Sequence, residues 1–260
     1  MSTDIQKLFD LTGKVAVVTG GGDGIGKESC KILASAGASI CVSDLSLEKA
    51  TSVADEITKE GKKAIAVKCN VLEDSDLENL IKTAVEQLGT VNILVNNAGM
   101  GGGGRENPFK IDRKYVERIY NINVIAPWRL CQLAVPHMAE SGYGSIINIT
   151  SMSSINRDAN MSIYGSSKAA LNHMAANLAH DFGPYNVRIN NVGPGATRTK
   201  ALDSVLTSEI EAQMLKHTPI KRLGEVSDIA GAVLYFACPI SEWVSGQVIY
   251  INGGGKQSLE

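Results

Sequence analysis

The chain has 260 residues, 44% of them hydrophobic and 20% charged, with a formal net charge of −2. That is enough apolar material for a large buried core, and the near-neutral balance excludes the basic face that nucleic acid or an anionic membrane surface demands. Five dispersed cysteines (Cys30, Cys41, Cys69, Cys131, Cys238) without CxxC spacing predict reduced thiols in a cytoplasmic protein, and four histidines without HExxH spacing predict no metal site. No apolar run is long enough for a membrane span, and MSTDIQKLFDLTGK lacks the basic run and apolar core of a secretory signal.

In chain order, short β-branched runs alternate with amphipathic stretches. VAVVT (Val15–Thr19) is the first predicted strand, followed by SICVSD (Ser39–Asp44), AIAVKC (Ala64–Cys69), NILVNN (Asn92–Asn97), SIINIT (Ser145–Thr150), VRINNV (Val187–Val192) and QVIYIN (Gln247–Asn252). They are apolar at nearly every position, as strands covered on both faces are. Helical spacing runs through Leu47–Glu60 and Asp76–Gly89, and two longer helices are expected at about Asp112–Glu140 and Ile163–Gly183. The alternation predicts a single α/β domain over residues 1–260, doubly wound, with a parallel sheet and helices on both faces. The strand-poor region from Gly195 to Ser245 carries helix patterns at about Ser204–Lys216 and Val226–Ala237, the first of them a candidate cap over a site.

The first strand runs directly into TGGGDGIG (Thr19–Gly26) and a helix pattern. Gly20, Gly24 and Gly26 allow a tight turn and close approach of a ligand to the backbone, and the helix start offers free N–H groups suited to a pyrophosphate. Asp23 and Ile25 complete the turn. The second strand ends in Asp44, 18 residues beyond Gly26, where a carboxylate in a dinucleotide fold meets the adenosine ribose hydroxyls and repels a 2′-phosphate. The expected cofactor is therefore NAD, not NADP; the alternative role for Asp44 is N-cap of the next helix. Leu45 beside it, Asn70 and Val71 after the third strand, and Asn97, Ala98 and Gly99 after the fourth all fall at strand ends, where ligands of open parallel sheets bind. The tract Gly101–Gly104 reads either as a flexible connection or as one wall of a substrate site, and Arg105 as a ligand or a solvated charge.

Ser151 follows SIINIT directly, and 13 residues later comes Tyr164, with Lys168 four further on. On a helix Tyr164 and Lys168 share a face. A phenol with its ordinary pKa near 10 is a poor base, but a neighbouring ammonium favours the phenolate, so a tyrosine so placed can take a proton from an alcohol while Ser151 holds the oxygen. The alternative is an ordinary surface contact between the two side chains.

TGGGDGIG, Asp44, NNAG (Asn96–Gly99), Asn123 in NINV, Ser151, the YxxxK of Tyr164 and Lys168, and Pro194–Gly195, in this order and spacing over almost the whole chain, resemble the short-chain dehydrogenase/reductase family. The resemblance implies a seven-stranded Rossmann sheet, a nicotinamide cofactor, and a catalytic set of Asn123, Ser151, Tyr164 and Lys168 in which the asparagine supports a water linking the lysine to solvent. It also implies nicotinamide contacts from Pro194, Gly195, Thr197 and Thr199, and cofactor contacts from Tyr164 and Lys168 themselves. Two departures are visible: asparagine stands at Asn70 where the family often has aspartate, and the glycine tract after NNAG is longer than in many members.

ITSMSSINRDANMSIYGSSKAA, the segment from Pro194 to Gly224, and WVSGQVIYINGGGKQ resemble those bacterial members that oxidise the 7α-hydroxyl of bile acids with NAD. That likeness implies a cholate-type or chenodeoxycholate-type steroid substrate, with Gly101 and Asn156 joining Ser151 and Tyr164 at the substrate. Ala201, Leu202, Val205, Leu206, Ile210 and Met214 form an apolar stripe that fits either a steroid cover or core packing, and Arg198, Lys200 or Lys216 could meet an anionic side chain. The competing readings are a 3-oxoacyl thioester reductase or sugar-alcohol dehydrogenase, a catalytically idle dinucleotide-binding protein, and a metal-dependent alcohol dehydrogenase, the last disfavoured by the absence of a ligand set. Family resemblance further implies a homotetramer built on the two long helices and the apolar ending. The cofactor-binding part is expected at about residues 14–150 and the catalytic and cap part at about 151–260.

Overall fold

The computed structural model describes residues 4–102, 106–203 and 206–255. After a short helix α1 (Ile5–Leu8), the elements follow as β1 (Val15–Thr19), α2 (Gly24–Ser35), β2 (Ser39–Asp44), α3 (Leu47–Lys59), β3 (Ala64–Lys68), α4 (Asp74–Leu88) and β4 (Ile93–Asn96). The second half comprises α5 (Arg113–Tyr120), α6 (Ala126–Glu140), β5 (Gly144–Ile149), α7 (Ser162–Phe182), β6 (Val187–Pro194), α8 (Lys200–Asp203), α9 (Ser208–Leu215), α10 (Val226–Ala237) and β7 (Val248–Ile251). The seven strands form one sheet in the order β3-β2-β1-β4-β5-β6-β7, every neighbouring pair parallel.

Alternate residues of each strand face opposite layers, which is why the strands read as unbroken apolar runs. Ala16 and Val18 of β1, Ile40 and Val42 of β2, and Ile93 and Val95 of β4 join one core with Cys30 and Leu33 of α2, Val53 of α3, and Ile229, Val233 and Phe236 of α10. Val17, Cys41 and Leu94 point the other way, to Leu77, Leu80 and Ile81 of α4, Leu130 and Ala134 of α6, and Ala175 of α7. All five cysteines are buried free thiols, and burial raises the thiol pKa, to about 12 for Cys41 and Cys131. No helix among the described residues is long and apolar enough to cross a membrane.

The first long helix expected from the sequence is interrupted. Between α5 and α6 the chain makes a wider, π-helical turn over Asn121–Ile125, where the Ala126 N–H donates to the Asn121 carbonyl. Pro127 explains the position: in a regular α-helix its ring would crowd the carbonyl of Asn123 four residues earlier, and the wider turn relieves that contact. Of the cap helix expected at about Ser204–Lys216 the structure shows α9, with the short α8 preceding it; Ser204 and Val205 lie outside the described residues.

Candidate active site

β1 and β4 are neighbours although β2 and β3 follow β1 in the chain and lie on its other side, so the connections leave in opposite directions and a crevice opens at the carboxyl ends of these strands. Two cavities lie along it. One, of about 390 Å³, is lined by Gly20, Asp44, Leu45, Asn70, Val71 and Ala98 among others. The second, of about 370 Å³, is lined by Ile25, Gly101, Ser151, Tyr164, Lys168, Pro194, Gly195, Thr197 and Thr199. Asn97, Gly99 and Met100 line both, so the two form one continuous groove.

The glycine-rich turn is held from two sides. The Asn97 amide nitrogen donates to the carbonyls of Thr19 and Gly20, both at 3.0 Å, and Gly26 packs so closely under the turn that a Cβ there would lie 2.1 Å from the Gly20 carbonyl oxygen. Asp44 accepts from the N–H of Gly22 at 3.1 Å and of Ser46 at 3.0 Å. The cap of α3 is Ser46, not Asp44, so the alternative role of Asp44 falls away and its carboxylate remains at the groove wall. Asp23 accepts from the Gly24 N–H as N-cap of α2 and pairs with Lys49 and Lys200 at 3.6 and 3.5 Å. Asp23, Gly24 and Gly26 thus shape the turn without lining the groove.

At the other end, the Ser151 and Tyr164 side chains line the same cavity, and the buried Lys168 ammonium, one turn along α7, donates to the Ile149 carbonyl at 2.9 Å. The Lys168 Nζ is 5.9 Å from the Tyr164 ring centre. Burial alone lowers the Lys168 pKa to about 8. Burial also raises the Tyr164 pKa; the Ser151 hydroxyl offsets part of that rise and the Glu106 carboxylate adds to it. In the protein alone the phenol is thus not acidified: burial dominates, and Ser151 is the group that lowers its pKa.

Asn123 is fully buried in the π-helical turn. Its Oδ1 accepts from the Met100 N–H at 3.0 Å, and its Nδ2 donates to the Met100 carbonyl at 2.9 Å and the Ser167 hydroxyl at 3.0 Å. Ser167 in turn donates to the Tyr164 carbonyl at 2.7 Å. Asn123 therefore ties the segment after β4 to the helix carrying Tyr164 and does not itself line the groove.

The glycine tract is more than a connection. Gly101 and Gly102 have φ of +99° and +80°, and a Cβ on them would lie 2.8 and 3.3 Å from Tyr164 ring atoms, so they form a flat wall against the ring. Gly103, Gly104 and Arg105 lie outside the described residues. Asn156 lies in a separate cavity of about 240 Å³ with Ser153, Arg157 and Met161, beside the groove and not within it. Leu202, Leu206, Ile210 and Met214 of the cap are half-buried, and α9 buries no residue completely, as expected of a cover more than of a core helix. Arg198 is paired with Glu211 at 3.2 Å. Ser167, Met100 and Glu106 were missed in the sequence. Ser167 had a signal, three residues after Tyr164 on the same helical face; a lone glutamate in GGGGRENP had none.

The groove has the extent a dinucleotide needs, and the bare backbone of Gly99, where a Cβ would sit 3.3 Å from the Lys168 Nζ, keeps the passage between the two cavities uncrowded. Comparison with known proteins bears on what uses it. A family model described as "Enoyl-(Acyl carrier protein) reductase" matches residues 20–256, and 7α-hydroxysteroid dehydrogenase of Escherichia coli K12 is 47% identical over 249 residues, 96% of each chain. The chain belongs to the short-chain dehydrogenase/reductase family. Within this oxidoreductase family it is also 36% identical over 245 residues to 7α-hydroxysteroid dehydrogenase of Clostridium sardiniense, covering 94% of each. Among solved members, a 7α-hydroxysteroid dehydrogenase complexed with NADH and 7-oxo glycochenodeoxycholic acid superposes with a TM-score of 0.94 at 46% identity over 98% of both chains. A gluconate 5-dehydrogenase from Burkholderia cenocepacia J2315, in complex with NADP and tartrate, reaches 0.90 at 29% identity, covering 96% of this chain and 98% of that one.

Proposed function

We propose that the protein catalyses the reversible NAD-dependent oxidation of the 7α-hydroxyl of bile acids (cholate, chenodeoxycholate and their conjugates) to the 7-keto form. The observation that carries this reading is the meeting of the Ser151 hydroxyl, the Tyr164 phenol and the buried Lys168 at one end of a dinucleotide-sized groove, in a chain so similar to an enzyme named for that reaction.

Gly20, Asp44, Leu45, Asn70, Val71 and Ala98 hold the adenosine half of NAD, with the turn at Asp23, Gly24, Ile25 and Gly26 against the pyrophosphate. Asn97, Gly99, Pro194, Gly195, Thr197 and Thr199 hold the nicotinamide half. When bound, NAD accepts a hydride from the carbinol carbon. Ser151 donates a hydrogen bond to the substrate oxygen, and Tyr164 takes the hydroxyl proton, returning it in the reverse direction. Lys168, its pKa lowered by burial to about 8, stands one helical turn from the phenol and favours the phenolate electrostatically while it carries its proton. Asn123 acts here by holding Met100 and Ser167, and hence the first turns of α7, in register. Gly101 leaves the steroid face open and Asn156 meets the part of the substrate that extends beyond the groove. NAD is preferred to NADP because the Asp44 carboxylate occupies the wall a 2′-phosphate would need. The reading includes a cytoplasmic homotetramer, supported by the exposure of Ile125 and Trp128 on the α5–α6 side and of Trp243 before β7.

The test is an assay of chenodeoxycholate with NAD and with NADP, following the reduced nicotinamide, with deoxycholate, which lacks the 7α-hydroxyl, as control. Turnover of chenodeoxycholate alone supports the assignment. Silence on both bile acids overturns it in favour of a 3-oxoacyl thioester or a sugar alcohol. Tyr164→Phe should keep NAD binding and lose turnover; near-wild-type activity in that variant would overturn the mechanism.

A further inference from the structure

The roles assigned above leave the buried carboxylate of Glu106 unused. Glu106 is 3% exposed and lies between β4 and α5, where its own N–H donates to the carbonyl of Asn160, a residue in the left-handed region at φ 57°. Its Oε2 accepts from the N–H of Ile163 at 2.7 Å, and both carboxylate oxygens accept from the N–H of Tyr164, at 3.0 and 3.2 Å. Oε1 also accepts from the Tyr115 hydroxyl of α5 at 3.1 Å. Ile163 and Tyr164 are the second and third residues of α7, and the N-cap residue Met161 makes no side-chain cap hydrogen bond. A helix start needs acceptors for its first N–H groups, and here they come from a carboxylate far away in the sequence, on the same short segment whose glycines wall the Tyr164 ring.

We propose that Glu106 is a positioning residue for Tyr164, clamping the first turn of α7 to the Gly101–Gly102 wall so that the phenol is presented to the groove in one orientation. The proposal rests on the reading of Tyr164 as proton carrier. Its carboxylate sits where the helix dipole favours an anion, and that same charge opposes formation of the phenolate. The groups that bear on the phenol are Lys168 from α7 itself, Ser151 from the end of β5, and Glu106, with Tyr115 of α5 bonded behind it. One side chain thus bears on both the position and the proton affinity of the phenol.

The test is the pH dependence of kcat and KM for chenodeoxycholate oxidation in wild type, Glu106→Gln, Glu106→Asp and Tyr164→Phe. Neutralising the carboxylate removes a charge that opposes the phenolate, so the rising limb of kcat in Glu106→Gln should move to lower pH by roughly half a unit. A loosened first turn should lower kcat about tenfold while KM for NAD stays within about threefold. Glu106→Asp keeps the charge and shortens the reach, so kcat should fall with the limb unmoved; it also serves if Glu106→Gln does not fold, since a wild-type kcat in Glu106→Asp overturns the positioning role. A fall in kcat with no displacement of the limb in Glu106→Gln reduces Glu106 to a helix cap and overturns the proposal. Activity in Tyr164→Phe would instead overturn the reading on which it rests.

Discussion

The Lys168 ammonium donates to the Ile149 carbonyl at 2.9 Å, which pins the helix carrying Tyr164 to the end of the strand that presents Ser151. The bond satisfies one of three ammonium protons in a site that is 4% exposed, and burial holds the amine at a pKa of about 8 against an ordinary value of 10.5. Below pH 8 both folded and unfolded chains carry the proton and the fold bears the full cost of burying the charge. From there to about the ordinary value the unfolded chain keeps a proton that the folded one sheds, so stability rises with pH. Relative to Lys168→Met, wild type should therefore gain up to roughly 3 kcal/mol across that window. Denaturant unfolding of both proteins at neutral and alkaline pH measures it; a gap independent of pH would contradict the assigned shift.

Asp44 controls cofactor choice in this reading. Asp44→Ala removes the charge from the groove wall and the acceptor for the Gly22 N–H. The charged hydrogen bond such a carboxylate gives the ribose hydroxyls of NAD is worth about 2 kcal/mol, and its repulsion of a 2′-phosphate is lost as well, so the ratio of kcat/KM with NAD to that with NADP should fall by tenfold or more. A wild type that prefers NADP would refute the assignment before any variant is made.

Gly101 tests the wall. In Gly101→Ala the new Cβ must share space with the Tyr164 ring, 2.8 Å away, at a φ of +99° that side chains avoid. Displacement of the phenol should lower kcat by roughly tenfold to a hundredfold, with far-ultraviolet circular dichroism unchanged. An active Gly101→Ala enzyme would show that the ring tolerates being moved.

Asn123→Leu strips partners from the Met100 N–H and carbonyl together. Each orphaned group costs about 1–3 kcal/mol, so a loss of roughly 2–6 kcal/mol in unfolding free energy is expected, along with activity. Unchanged stability would mean that the Met100 groups find other partners and would overturn the tethering role of Asn123.

The strands were the most legible part of the chain, because a parallel strand buried on both faces leaves a run such as VAVVT that little else imitates, and β1 and β2 were placed to the residue. The bounds of the first long helix were legible, but its π-helical turn was not, because the apolar pattern continues across Asn121–Ile125 and only Pro127 hinted that hydrogen bonding must change there. Ser151, Tyr164 and Lys168 were legible since each sits at a strand end or a fixed helical spacing from one. The balance of charge around Tyr164 was not, because it depends on burial and on Glu106, which reaches α7 through space from residue 106 to residues 163 and 164. Asn156 was placed by resemblance alone, and neither spacing nor periodicity could say which side of α7 its cavity occupies.

The pairing of β1 with β4 brings Ala16 beside Ile93, with two strands and three helices of intervening chain. No ladder in the sheet is closed by a hairpin, so each must wait for a long crossover to be ordered first, and chains of such high contact order fold slowly. The groove straddles that central seam, drawing Gly20 from one bank and Asn97 from the other. Catalytic competence is consequently among the last properties a refolding molecule acquires: recovery of turnover after dilution from denaturant should lag behind recovery of helical signal, and any opening that parts the seam silences the enzyme while most of its secondary structure is still intact.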